Sequence, residues 1–212
     1  MHKVRIQGTI PPLRPIVSST GAYNYNLAKF LCSLLSPLIP DEYSVTDSFS
    51  FVEEIQRLSI HHKFMVSFDV ESLFTNIPLD ESIQLAIDYI ISNTNTKLTT
   101  KELGDLFYIA TSQSHFSFKG CYYDQTDGVA MGSPLVPVLA NLFLGHHEKK
   151  WLNEFSSAEV LFYRRCVDDT FCVFDSPTPM RSCSFNISIP VIRTYSSLWR
   201  KNANTLYLFL MS

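Results

Sequence analysis

No stretch of eighteen apolar residues occurs in this sequence, so no segment has the length and hydropathy of a membrane-crossing helix. No signal peptide and no membrane partner are expected. Cysteine is scattered: Cys32, Cys121, Cys166, Cys172 and Cys183 form no CxxC pair and no Cys–His pairing at zinc spacing. That excludes a zinc finger and points to reduced thiols, without disulfides, in an intracellular compartment. A large excess of charge is also lacking. A formal net charge of −3 leaves no global basic footprint to announce nucleic acid. A site built from several Asp would offset local Lys and Arg, however, so this absence excludes little. With 46% hydrophobic and 17% charged residues the chain reads as globular, not disordered. Its 212 residues suffice for one good core, or a core and a satellite. There is no internal repeat.

The elements that are present mix helices with antiparallel strands. After a Pro-interrupted start, Leu27, Phe30, Leu31, Leu34 and Leu35 fall on one helical face that ends before Pro37. A second helix is expected over about 48–60, with Ser50 and Glu53 at capping-box spacing. "FMVSFDV", 64–70, has the hydrophobicity of a buried strand. Asp80 then caps a helix carrying Ile83, Ile87, Ile90 and Ile91. Thr99 and Glu102 form a capping box for the next, with Leu103, Leu106, Phe107 and Ala110 on one stripe. "HFSFKGCYYDQ" reads as a hairpin around Lys119–Gly120. A long helix over roughly 134–155 starts from Ser133 as cap and Pro134 at its first position. "LFYRRCVDDTFCVF", 161–174, forms a second hairpin whose turn carries Val167, Asp168, Asp169 and Thr170. The doublets His61–His62 and His146–His147 are expected at solvated positions. Strand, two helices, hairpin, loop, helix, hairpin is the order of an α+β fold.

The carboxylates carry the chemistry. Asp168 and Asp169 stand between two apolar strand-forming runs, and Asp69 ends another. One reading is an ordinary turn, which Asp favours. The other starts from cost: an unpaired buried carboxylate is unfavourable by several kcal/mol, and a divalent cation removes that penalty. Mg²⁺ takes carboxylate oxygens and shares its remaining positions with water and phosphate. Two such ions about 4 Å apart activate an attacking oxygen and stabilise a leaving one in phosphoryl transfer. Because successive strand residues alternate faces, Asp69 and Asp168 are expected to be the main bridging ligands, with Asp169 assisting.

"SFDVESLFTNIP", "DGVAMGSPLVPVLANLFL" and "RRCVDDTFCVF" resemble, in order and spacing, palm motifs A, B and C of reverse transcriptases, and their wording is most similar to Penelope-like retroelements. "PPLRPIVSS", 11–19, resembles the end of that family's fingers. The resemblance implies a partial fingers region over 1–60 and a palm over 61–175. It also implies an RNA-directed DNA polymerase that adds deoxynucleoside triphosphates to a DNA primer on an RNA template with two Mg²⁺ or Mn²⁺ ions, and a nuclear site of action. Asp69, Asp168 and Asp169 would be catalytic and, with Val70, would hold metal. Arg14, Lys3, Phe74 and Gly128 would face the nucleotide. Phe74 would exclude a ribose 2′-hydroxyl by steric bulk; its alternative is a core aromatic. Gly132, Cys166 and Arg165 would contact template or primer, Gly132 through a backbone that approaches closely or else simply as a helix-entry turn. Arg164 and Arg165 flank the metal turn, one toward phosphate and one toward solvent. Asn141 is similar to the motif B asparagine. The chain departs from the family at Cys166, where Tyr is usual, and at Val136, where a small polar residue is usual. Residues 176–212 resemble no motif D, primer grip, thumb or GIY-YIG endonuclease; they are expected to be read from a shifted frame or past a lost splice site.

Overall fold

The computed structural model describes residues 18–70, 73–111, 115–118, 120–124, 132–154, 160–175 and 192–194. Lys3, Arg14, Gly128 and most of 176–212 lie outside these.

Seven residues of alternating burial make β1, Phe64–Val70: Val66, Phe68 and Val70 point into the core while Met65, Ser67 and Asp69 point the other way. This period of two is what a strand with one covered face requires. β1 pairs antiparallel with β5, Asp169–Phe174, and β5 with β4, Val160–Cys166. On its other edge β1 pairs with β6, Ile192–Thr194, giving the order β4-β5-β1-β6. Beyond β4, residues 43–45 run alongside: the Arg165 amide donates to the Tyr43 carbonyl and the Val45 amide to that of Arg165, both at 2.8 Å. That covers the β4 edge there. β2, His115–Phe118, and β3, Cys121–Asp124, form the expected separate hairpin, turning at Gly120 with φ of +79°.

Helices cover one face of the large sheet. α1 (Tyr25–Leu35), α4 (Leu79–Asn93) and α5 (Thr100–Thr111) bury Ala28, Leu31, Leu35, Ala86, Ile87, Ile90, Leu103, Phe107 and Ala110 together. α6, Val136–Glu154, adds Leu135 (just before its first turn), Leu139 and Leu142 to that cluster. From another side it packs Ala140, Phe143 and Leu144 on Val70 of β1 and on Leu73 and Ile77, the first of which belongs to the short α3, Leu73–Asn76. A helix apolar on more than one side is a buried helix. At Gly145 a Cβ would lie 3.3 Å from the Pro40 carbonyl, so the backbones approach closely there.

Four expectations about helix ends and faces are revised. α2 spans Ser48–Gln56 and is capped by Asp47, whose Oδ1 accepts from Phe49 (2.8 Å) and Ser50 (3.0 Å); Ser50 lies inside the helix. α4 begins beyond Pro78 without a side-chain cap, and Asp80 sits in its first turn beside the positive helix end. α6 starts two residues after Pro134, with the Ser133 hydroxyl accepting from the Leu135 amide at 3.4 Å. Phe30 and Ile91, assigned to apolar faces, are 52% and 43% exposed. The Thr99–Glu102 box forms as expected, each residue's side chain accepting from the other's amide. His61 and His62 are exposed, whereas His147 is half-buried, bonded to Glu81 at 2.9 Å and stacked on Trp151.

Candidate active site

Asp69 and Asp169 are directly opposite in the β1–β5 register, so both project from the same face. Asp168 is in the two-residue turn between Cys166 and Asp169, and its carbonyl accepts from the Val70 amide at 2.9 Å. Sequence separation of almost a hundred residues is thus closed by one strand pairing. Cys166, paired with Asp169 on the β4 side, is exposed beside them on that face.

The same face is covered only away from the turn. Phe51 of α2 lies against Phe162 and Phe171, with centroids at 6.3 and 5.7 Å, and Glu54 accepts from Arg164 Nε at 2.7 Å. At the turn end of this face Asp169 is exposed, while Asp69 and Asp168 are half-buried. Partial burial, then the negative charges of Asp168 and Asp69, raise the Asp169 carboxyl above its ordinary value of 3.8. On its other edge β1 sets Asp69 opposite Arg193 of β6, so the carboxylates gather beside a position that already carries a cationic residue.

The fit to a divalent ion rests on this donor set. Carboxylate oxygens are the hard ligands Mg²⁺ and Mn²⁺ select, and Mg²⁺ is usually held by one or two carboxylates together with substrate phosphates. Among the described residues no three His, Cys, Asp or Glu side chains close into a self-sufficient metal cage. Val70 has a buried side chain, 6% exposed, so any ligand role falls to its backbone carbonyl.

Other expected site residues are placed as follows. Phe74, in α3, packs partly buried against the Val70–Phe143 cluster. Gly132 is exposed with φ of +113°, a conformation that favours Gly, and its carbonyl accepts from the Ser19 hydroxyl at 2.7 Å. Arg165 is not on the open face. It is 2% exposed on the helix-covered side, donating to Glu148, Asn141 and Val167, so it offers no surface to template or primer. Arg164 meets Glu54, so neither arginine of the pair takes the place expected for it.

Val167, the first turn residue, has φ of +60°. A β-branched side chain in the left-handed region is strained by roughly 1–3 kcal/mol. Sequence reading missed this, and it missed Glu148, which is buried in α6. The available signal was the seven-residue spacing from Asn141 to Glu148, which puts both on one helix face.

An antiparallel sheet backed by helices, with Asp169 opposite Asp69 and Asp168 in the adjoining turn, is the arrangement of a polymerase palm. The chain belongs to the reverse transcriptase (RNA-dependent DNA polymerase) family, whose profile matches residues 13–190. Among solved structures, telomerase from Candida albicans in complex with a TWJ fragment of telomeric RNA is similar over 75% of this chain and 31% of its own, with 14% identity and a TM-score of 0.54. Apo telomerase from Candida tropicalis is similar over 78% and 33%, at 12% identity and a TM-score of 0.53. Its C-terminally truncated form is similar over 77% and 36%, at 14% identity and 0.51. At these identities the likeness concerns the fold. The chain spans about a third of the length of each telomerase. No curated protein sequence matches it.

Proposed function

We propose that this chain carries the palm of a Penelope-like retroelement reverse transcriptase, which adds deoxynucleotides to a DNA primer's 3′-hydroxyl on an RNA template. The observation that carries the reading is the face shared by Asp69 and Asp169, with Asp168 in the adjoining turn. These carboxylates would hold Mg²⁺ or Mn²⁺, which supplies charge stabilisation to the attacking hydroxyl and to departing pyrophosphate. Membership of an RNA-dependent DNA polymerase family supports the substrate class, and the wording of the three motifs supports the subtype. Phe74, next to the end of β1, would exclude a 2′-hydroxyl. The backbone at Gly132, open and without a side chain, would admit a nucleotide or template base. Arg14, Lys3 and Gly128 would serve the triphosphate, and residues 1–60 would belong to the fingers.

A second reading, binding of nucleic acid or a protein partner without catalysis, is favoured by the exposure of Phe49 and Tyr122, each 85% open. Primer extension on an RNA template separates the two. The wild-type chain should extend with deoxynucleotides, Asp168→Asn should not, and Phe74→Ala should admit ribonucleotides. A soluble, folded wild-type chain that binds template and primer without extending them would establish the second reading.

A further inference from the structure

The turn that presents Asp168 and Asp169 is held from behind by a buried cationic fork. Arg165 Nε donates to Glu148 Oε1 at 2.5 Å, and Nη1 donates to Asn141 Oδ1 at 3.0 Å and to the Val167 carbonyl at 3.2 Å. The Tyr163 hydroxyl donates to the same Glu148 oxygen at 2.7 Å. Glu148 and Arg165 are 1% and 2% exposed. The backbone of Arg165 is anchored too, since 43–45 bond it on the free edge of β4. Val167 is the residue in the left-handed conformation, and such a conformation persists only where its surroundings over-determine it.

We infer that Arg165 is a positioning residue for the carboxylate pair: it ties the Val167 carbonyl to α6 and so fixes the turn from which Asp168 and Asp169 meet a cation. The inference rests on reading those two carboxylates as metal ligands. One planar guanidinium reaches three acceptors on two elements, which an ammonium, a point charge, does not reproduce. Asn141 and Glu148 are then parts of the same support, acting through Arg165. Residues that orient ligands without touching the metal govern affinity nearly as strongly as the ligands do.

The test is Mn²⁺ binding followed by electron paramagnetic resonance on the folded chain. It compares wild type, Asp168→Asn, Arg165→Lys, and the double variant Arg165→Met with Glu148→Met, whose folds are checked by near-ultraviolet circular dichroism. The double variant removes both buried charges together; Arg165→Lys keeps a charge opposite Glu148 and loses the fork. Wild type should bind in an Asp168-dependent manner, and the folded Arg165 variants should bind about tenfold or more weakly. Folded Arg165 variants with wild-type affinity would overturn the inference and leave the metal-ligand reading intact. Wild-type binding indifferent to Asp168→Asn would overturn both. If the double variant fails to fold, Arg165→Lys decides alone.

Discussion

On one face of the β1–β5 pair, Asp69 opposes Asp169 beside the Asp168 turn, and partial burial, then the charges of Asp168 and Asp69, raise the Asp169 carboxyl. On the other face, Arg165, three residues before Asp168, forms with Glu148 an ion pair closed off from water and joined by Tyr163 and Asn141. The open face gathers carboxylates at a strand end that water reaches, with Arg193 opposite Asp69 in the register. The closed face holds an ion pair away from water and, among the described residues, leaves Glu148 Oε2 without a hydrogen bond. Burial explains the difference: a buried charge without a counterpart unfolds a protein, whereas an exposed imbalance at a sheet end is tolerated and is where a ligand's charge belongs. Burial next to Glu148 also pushes the Tyr163 hydroxyl well above its ordinary range, which keeps it a donor to that carboxylate.

The comparison is broken most severely on the closed face. Arg165→Ala leaves Glu148 buried and unpaired and should lower unfolding free energy by about 3–5 kcal/mol, read from urea titration. Replacing both partners by Met should restore most of that loss. On the open face, Asp168→Asn should act in the opposite sense: in metal-free buffer its stability should match or exceed wild type, by up to about 1 kcal/mol. Its failure to bind Mn²⁺ would then not be a folding defect.

The pH dependence sharpens the same contrast. A carboxyl whose folded value is raised contributes stability that is fully present below its ordinary value and lost as pH rises through the raised one. Metal-free wild type should therefore lose the Asp169 contribution as pH climbs from 3.8 toward neutrality, while cation affinity grows because proton and metal compete. Thermal unfolding with and without Mn²⁺ across that range should show the two curves diverging as pH rises. The smallest effect belongs to Glu54→Gln. Its partner Arg164 is about a quarter exposed, so the change should cost less than about 1 kcal/mol and shrink in high salt.

Much of this was legible in the residues. "FMVSFDV" and "LFYRRCVDDTFCVF" announce strands by their apolar content, and Asp between the latter's two runs marks a turn. The turn expected over Val167–Thr170 is shorter, because Asp169 and Thr170 already pair in β5. That Asp69 meets the Asp168–Asp169 pair came from the family resemblance, because strand partners a hundred residues apart leave no local mark. Asp168 was expected as its main partner with Asp169 assisting, whereas the register sets Asp169 directly opposite Asp69. The arginine pair was misplaced for a related reason. Alternation shows that Arg164 and Arg165 face opposite ways, but which face is covered depends on α6, whose "GHHEKKWLNE" looks like a solvated end. Glu148 is buried there because two turns of helix separate it from Asn141 over the same sheet face. Asp47 was passed over as a cap because Ser50 and Glu53 also satisfy the spacing rule, and only the backbone bonds choose between them.

The most direct test of the central claim, that the open carboxylate face is a cation site, is the unfolding midpoint as Mn²⁺ is added to wild type and to Asp168→Asn. The account requires the wild-type midpoint to rise with Mn²⁺, and that of the variant, equal or higher at the start, to stay where it is. Equal metal-induced shifts in the two proteins would contradict it.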